Sequence, residues 1–143
     1  MDNVRSLGLV KKARELSSST YYHLLYPELV KIIQECGLEL ICVDSNYRLD
    51  EGSCVDFSFY CHSQKVVVLI FETVRNNKLE PFWGKDFRLA YNLILVHEIG
   101  HYLSYHHNDY SENGAWINGL SLAEYLKIFT PQLTQLLKNY FIE

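Results

Sequence analysis

The sequence predicts an α+β fold in which a short mixed or antiparallel sheet packs on helices. Apolar residues recur at helical spacing in both end regions of the chain, and short apolar runs rich in β-branched residues lie between them. No repeat or linker separates these parts. With 143 residues, of which 48% are hydrophobic and 21% charged, residues 1–143 are expected to form a single domain with its own core.

The first half of the chain predicts two helices and a strand. Residues 3–16 place apolar side chains at helical spacing, and the SSST stretch at residues 17–20 interrupts the pattern. Pro27 at a first turn and Gly37 as a stop delimit a second helix. Residues 38–43 form an apolar run typical of a strand.

Two more strands are expected between polar loops at residues 44–53 and 73–85. Residues 55–61 alternate apolar with polar side chains, which predicts a half-exposed strand, and we place it at an edge of the sheet. Ser63-Gln64 is a plausible tight connection to a buried strand at residues 65–72.

Three helices are expected to follow. Asp86 and Ser111 can cap the first two, and Pro131 in a first turn marks the start of the third. The first begins at Asp86 and ends near residues 106–108. The second begins at Ser111 and runs to about Phe129, and the third begins at Thr130-Pro131.

Charge and hydropathy exclude several classes of function. The net charge of −4 argues against general binding to nucleic acid or to anionic membranes. No apolar run approaches the roughly 18 residues of a membrane span, and residues 1–19 lack the apolar core of a secretory signal. We therefore expect a cytoplasmic protein with no membrane partner and no direct nucleic-acid partner.

The four cysteines are expected to be reduced and buried in that compartment. They are Cys36, Cys42, Cys54 and Cys61, and none forms a C-x-x-C pair. A separate cysteine zinc site is therefore not predicted.

The central motif is His97-Glu98-Ile99-Gly100-His101, an H-E-x-x-H pattern. Residues four apart lie on one helix face, so His97 and His101 can bind one Zn²⁺. Glu98 would stand beside the metal, placed to take a proton from water. The alternative is a buried His–Glu–His hydrogen-bond cluster without metal.

A catalytic zinc normally has a third protein ligand, and Glu112 is the leading candidate. On the predicted helix it shares a face with Ala115 and Gly119, small residues that would let this helix approach the motif helix closely. The alternative is that Glu112 binds no metal and only interacts favourably with the helix dipole at the N-terminus. The ten residues between His101 and Glu112 require a tight turn.

His107 is the second candidate for the third ligand. His97, His101 and His107 match the H-E-x-x-H-x-x-G-x-x-H spacing of metzincins, but Ser104 replaces the glycine and the only methionine is Met1. Asp109, His106 or an incomplete site are further alternatives.

Two segments carry a resemblance to a known family. Residues 96–103 (VHEIGHYL) and residues 112–115 (ENGA, an E-x-x-A pattern) resemble the ImmA/IrrE family of small intracellular zinc metallopeptidases, which are gluzincins. The resemblance implies a zincin-like fold, Zn²⁺ bound by His97, His101 and Glu112, and Glu98 as general base. It also implies cleavage of a specific regulatory protein, often a repressor from a phage or mobile element.

We therefore predict a zinc-dependent endopeptidase whose substrate extends along the edge strand at residues 55–62. The alternative for this strand is ordinary amphipathic packing without a substrate. A second electrophile could come from Tyr105, Tyr110, Tyr125 or His106. The first alternative function is a non-catalytic, zinc-stabilised protein–protein interaction domain. The second is an interaction module without metal.

Overall fold

The structure, a computed structural model, describes residues 4–44, 58–71 and 86–143, with side chains from residue 7 onward. Within these ranges the chain forms five α-helices, three strands and one 3-10 turn, in an α+β arrangement as predicted. In chain order they are α1 (Val4–Glu15), the 3-10 turn (Tyr22–Leu24), α2 (Pro27–Glu35), β1 (Glu39–Val43), β2 (Phe59–Cys61), β3 (Val66–Ile70), α3 (Phe87–Tyr105), α4 (Glu112–Leu126) and α5 (Pro131–Phe141).

The three strands form a mixed sheet in the order β1-β3-β2. β1 runs parallel to β3, with Glu39 opposite Val66, and β2 runs antiparallel to β3, with Phe59 opposite Val68. All five residues of β3 are buried. The continuous apolar run in the sequence correctly predicted this central, fully buried strand.

Helices cover both faces of the sheet. Val66, Val68 and Ile70 point to one face, where α1 contributes Leu9, Val10 and Ala13. Val67 and Leu69 point to the other face, where they join a larger core that contains residues of α2, α3, α4 and α5. The motif helix α3 belongs to this larger core, so its position is set by packing against the sheet.

The predicted half-exposed character of the strand around β2 is wrong for the described residues. Tyr60, on the side expected to be solvated, is only 3% exposed, and Ser58 is also buried. The Tyr60 ring lies edge-on to Tyr102 and Tyr105 of α3, with ring centroids 6.0 and 5.6 Å away. Its hydroxyl hydrogen-bonds with Nδ1 of His62 at 2.8 Å. A tyrosine can bury its large ring when its hydroxyl has a hydrogen-bond partner. Counting Tyr60 as a polar residue in the alternating pattern therefore underestimated how deeply its side chain is buried.

Parts of the predicted strands and loops of this region lie outside the residues that the structure describes. β2 lies at one end of the strand order, as expected for an edge strand. Residues 54–57, residues 45–53 of the loop predicted at 44–53, and the whole loop predicted at 73–85 lie outside the described residues. The turn between β2 and β3 spans residues 62–65, with Lys65 in the left-handed region at φ 56°.

The two predicted N-terminal caps, Asp86 and Ser111, are confirmed, and the predicted helix start at Thr130-Pro131 is capped as well. Asp86 accepts a hydrogen bond from the Leu89 N–H at 3.0 Å, and Ser111 accepts one from the Gly114 N–H at 2.9 Å. Thr130 accepts one from the Leu133 N–H at 3.1 Å, followed by Pro131 in the first turn. Each cap satisfies a backbone donor that the helix itself leaves free.

Helix α4 ends at Leu126, three residues before the predicted end at Phe129. Lys127 adopts a left-handed conformation, with φ 56°, and its N–H donates to the Glu124 carbonyl. The Ile128 N–H donates to the Ala123 carbonyl at 3.3 Å. This pair of bonds is a Schellman motif, which ended the helix on a lysine where the sequence carried no glycine.

Buried Asn92 connects α3 to the start of α2. Its Oδ1 accepts a hydrogen bond from the Tyr26 N–H at 2.7 Å. Its amide nitrogen donates to the carbonyls of Leu24 at 2.9 Å and Arg88 at 2.7 Å. The 3-10 turn that supplies the Leu24 carbonyl was not predicted. Asn92 thereby fixes how α2 meets the motif helix.

Helices α3 and α4 cross with their backbones in contact. A Cβ atom at Gly100 would overlap the Ala115 carbonyl oxygen, and one at Gly119 would lie 2.5 Å from the Val96 carbonyl oxygen. The predicted close approach through small residues is therefore confirmed. It brings the first turn of α4 alongside the H-E-x-x-H motif.

Two compositional expectations can be compared with the described residues. Cys42 and Cys61 are buried, as expected, whereas Cys36 is only partly buried. Among the described helices, none combines the length and apolar content that a membrane crossing requires.

Candidate metal centre

The two motif histidines lie one above the other on α3. Four residues on a helix bring their rings together, with centroids 4.7 Å apart. The side chains of His97 and His101 are 12% and 13% exposed. They therefore stand at the border between the core and solvent, where a bound ion could still be reached.

The Glu112 carboxylate bridges the two imidazoles. Its Oε2 lies 2.8 Å from Nε2 of His97, and its Oε1 lies 3.1 Å from Nε2 of His101. Glu112 is the first residue of α4, so the helix crossing at Gly100 delivers it to the motif. Two imidazole nitrogens that both face a carboxylate need protons or a cation between them.

The end of α3 allows the chain to return within ten residues. Asn108 adopts the left-handed conformation at φ 57°. Its N–H donates to the Tyr105 carbonyl at 3.1 Å, and the Asp109 N–H donates to the Ser104 carbonyl at 3.0 Å. This Schellman motif reverses the chain without glycine, because asparagine tolerates the left-handed region better than most residues.

Asp109 then holds the start of α4. Its Oδ1 accepts hydrogen bonds from the Ser111 N–H at 2.9 Å and from the Ser111 hydroxyl at 2.6 Å. These bonds lower the pKa of the Asp109 carboxyl. Because Ser111 also caps α4, the two residues together fix the helical turn that carries Glu112.

Glu98 is buried beside the two histidines. It is 3% exposed, and its Oε2 is fully buried with no hydrogen-bond partner among the residues that the structure describes. Its Oε1 lies 3.9 Å from Nε2 of His97. Burial raises the pKa of this carboxyl well above its usual range, and the negative charge of Glu112 raises it further.

The electrostatics favour a neutral imidazole next to an ionised ligand carboxylate. Burial lowers the pKa of His97, and this outweighs the opposing effect of its hydrogen bond to Glu112. Hydrogen bonds from His101 and His97 hold the pKa of Glu112 well below its usual range. A metal ion binds neutral imidazole and ionised carboxylate, so protons compete little for these two groups.

The residues present fit a divalent cation. His97, Glu98 and His101 each offer one ligand atom, and these atoms lie within 4.8 Å of one another. Ligand atoms of a tetrahedral zinc site are separated by about 3.3 Å, as follows from metal–ligand distances of about 2.0 Å. The contacts of Glu112 with the two imidazoles, at 2.8 and 3.1 Å, are close to this separation.

The other candidates for the third ligand lie elsewhere. His107 is exposed, and its backbone N–H donates to the Ser104 carbonyl in the turn that follows α3. The ring of His106 lies edge-on to Tyr102, with centroids 4.8 Å apart. Asp109 is engaged with Ser111. Of the candidates taken from the sequence, Glu112 is the one placed against both imidazoles.

The tyrosines considered as a second electrophile occupy different positions relative to the motif. The Tyr105 ring packs against His62 and Tyr110, with centroids 4.6 and 4.7 Å away. Tyr110 is 64% exposed and Tyr125 82% exposed. Tyr125 lies thirteen residues beyond Glu112 on α4, or about 20 Å along the helix axis at 1.5 Å per residue, too far to assist at the motif.

Trp116 contributes to the site and was not singled out as a site residue. Its ring lies 4.2 Å from the His97 ring, at an interplanar angle of 31°. Trp116 follows Glu112 by four residues, so helical spacing alone places it next to the proposed ligand. That spacing is the signal that could have revealed it.

Comparison with protein-family models, with curated proteins and with solved structures finds no match to this chain. A functional assignment therefore depends on the chemistry of the site itself.

Proposed function

We propose that this chain is a zinc-dependent endopeptidase. One observation carries the proposal: the Glu112 carboxylate lies 2.8 and 3.1 Å from the Nε2 atoms of His97 and His101. Buried Glu98 stands next to this group. Two histidines and one carboxylate are a usual ligand set of catalytic zinc, and they leave a position open for water.

Each residue of the site has a distinct proposed role. His97, His101 and Glu112 would hold the ion. Zinc bound there would supply Lewis acidity, which polarises a peptide carbonyl and makes water more acidic. Glu98 would accept the proton from the attacking water and pass it to the leaving amine.

The fold arrangement is compatible with a zincin-like, gluzincin-type enzyme, because the motif helix packs between the sheet and the helix that carries Glu112. The resemblance of residues 96–103 and 112–115 to the ImmA/IrrE family makes a regulatory protein of the cytoplasm the proposed substrate, as in phage or mobile-element systems.

Metal analysis of purified protein tests the proposed ligands. We expect about one zinc per chain in wild type and in the control variant His107→Ala, which changes a nearby exposed histidine. Glu112→Ala should lose the ion or bind it far more weakly. Retention in Glu112→Ala with loss in His107→Ala would instead support a metzincin-like ligand set.

A comparison of wild type with Glu98→Gln tests the chemistry. Both proteins would be incubated with denatured cellular proteins, and newly formed N-termini would be identified by mass spectrometry. We expect zinc-dependent cleavage by wild type and its loss in Glu98→Gln, which should retain zinc. Equal cleavage by both proteins would contradict the role of Glu98 as general base.

A non-catalytic, zinc-stabilised interaction domain is the second candidate, and one observation favours it. Glu98 offers a ligand atom within 4.8 Å of those of His97 and His101. If Glu98 bound the ion together with Glu112, the site would have four protein ligands and be closed. Loss of zinc in Glu98→Gln would support this candidate over the peptidase.

A further inference from the structure

His97 is one end of an aromatic column. The Trp116 ring covers the His97 ring at 4.2 Å. The Trp116 ring also stacks on the Phe141 ring, with ring centroids 3.8 Å apart and an interplanar angle of 13°. The column therefore extends from the proposed metal ligand on α3, across α4, to the end of α5.

Among the described residues, the second ring nitrogen of His97, Nδ1, is buried and has no hydrogen-bond partner. Histidines that bind metals almost always donate this N–H to a carboxylate, a carbonyl or water, which fixes the orientation of the ring. Within the described part of the chain, packing against neighbouring rings is the remaining way to fix the orientation of His97.

The end of α5 is joined to the same region by a hydrogen bond. The backbone N–H of Glu143 donates to Oδ1 of Asn113 at 2.8 Å. Asn113 directly follows Glu112, so this bond lies next to the proposed third ligand. Residues 141–143 thus contact both the turn that carries Glu112 and the ring that covers His97.

We propose that Trp116 is a positioning residue for His97, and that Phe141 holds Trp116 in place. The tilted contact with the Trp116 ring would restrict the rotation of the imidazole, as a hydrogen bond donated by the Nδ1–H does in other metal sites. The proposal depends on the zinc site described above. It assigns a role in metal binding to α5, which contributes no ligand.

Zinc affinity of the purified protein measures this role. Removing a group that supports a metal ligand typically weakens binding 10–100-fold. We expect Trp116→Leu, which keeps an apolar side chain without a ring, to bind zinc about tenfold more weakly than wild type. Trp116→Phe keeps a ring and should recover most of the affinity. Titration against a chromophoric chelator gives these values.

Phe141→Leu provides a variant at the edge of the core, because Phe141 is only partly buried. It should weaken zinc binding in the same direction as Trp116→Leu, by a smaller factor. In both variants the visible absorption spectrum of bound Co²⁺ should change from that of wild type, since it reports the ligand geometry. Trp116→Phe should keep the wild-type spectrum.

Leu29→Ala controls for general destabilisation, because Leu29 is fully buried in α2 and remote in sequence from the motif. It should lower the melting temperature while leaving the zinc affinity of the folded protein unchanged. Wild-type affinity and Co²⁺ spectra in Trp116→Leu and Phe141→Leu would overturn the positioning role while the zinc site stands. Absence of zinc from wild type would overturn both.

Discussion

Gly100 of α3 and Ala115 of α4 lie so close that a single carbon atom added to Gly100 would overlap the Ala115 carbonyl oxygen. A contact between helix backbones this tight leaves room for hydrogen alone. It sets the distance between the helix of the two histidines and the helix of Glu112. The glycine inside the H-E-x-x-H motif therefore belongs to the geometry of the proposed ligand set.

Gly100→Ala should separate α3 from α4 at the level of the motif. We expect a loss of about 1–3 kcal/mol in the free energy of unfolding, typical of overpacking, together with weaker zinc binding. Gly8→Ala is the matched control, because a Cβ at Gly8 of α1 would meet nothing within 4 Å. It should be neutral or slightly stabilising. Chemical denaturation and zinc titration measure both effects, and wild-type zinc affinity in Gly100→Ala would contradict the argument.

Ser111→Ala and Thr130→Ala remove equivalent caps from α4 and α5. Each should destabilise the protein by about 1 kcal/mol. Only Ser111→Ala should also weaken zinc binding by several-fold, because a frayed first turn lets Glu112 leave the imidazoles and ordering it then opposes binding. Thermal unfolding and zinc titration of the two variants make the comparison. Equal zinc affinities would show that the cap does not control Glu112.

Glu98→Gln should stabilise the metal-free protein at neutral pH. The folded-state pKa of Glu98 is raised above its unfolded value, so the unfolded state releases the proton first as pH rises. Wild-type stability from this group is therefore full below the unfolded pKa, about 4.5, and falls as pH rises toward the folded pKa. Glutamine has no proton to release.

Thermal melts of the metal-free proteins at several pH values test this effect. We expect the melting temperature of Glu98→Gln to exceed that of wild type at pH 7, and the difference to shrink toward pH 4.5. Glu28→Gln, on the surface of α2, should show no such pattern. A difference that is constant with pH would mean that burial of the Glu98 charge is not its cause.

Asn92→Leu should destabilise the junction between α2 and α3. The variant leaves the Tyr26 N–H without its partner and removes a donor from the Leu24 carbonyl. A buried polar group without a partner costs about 1–3 kcal/mol. Asn139→Leu, at an exposed position of α5, should change the free energy of unfolding little. Urea denaturation of both variants measures the difference, and equal stabilities would contradict the proposed anchoring by Asn92.

Local signals were sufficient to predict most helices. Asp86 and Ser111 were recognised as caps, and Thr130-Pro131 as a helix start, because these signals act on the backbone only two or three residues ahead. The H-E-x-x-H spacing placed His97 beside His101 for the same reason. Even Glu112 could be selected, because small residues on its helix face predicted the close crossing with α3.

Features that depend on distant parts of the chain could not be predicted in this way. Burial of Tyr60 requires the rings of Tyr102 and Tyr105, which lie more than forty residues away. The contact of Phe141 with Trp116 depends on how α5 packs back onto α4. The end of α3 near residues 106–108 was predicted, but the left-handed conformations of Asn108 and Lys127 were not, since neither residue is a glycine.

The tight reversal at Asn108 keeps the residues of the proposed site close together in sequence. His97, Glu98, His101 and Glu112 all lie within sixteen residues of sequence, on one helical hairpin. Contacts of short sequence separation require little loop closure and form early, whereas the parallel pairing of β1 with β3 joins segments more than twenty-five residues apart. The proposed ligand cluster can therefore assemble before the sheet does, and an ion that binds the completed site more tightly than the unfolded chain would favour folding.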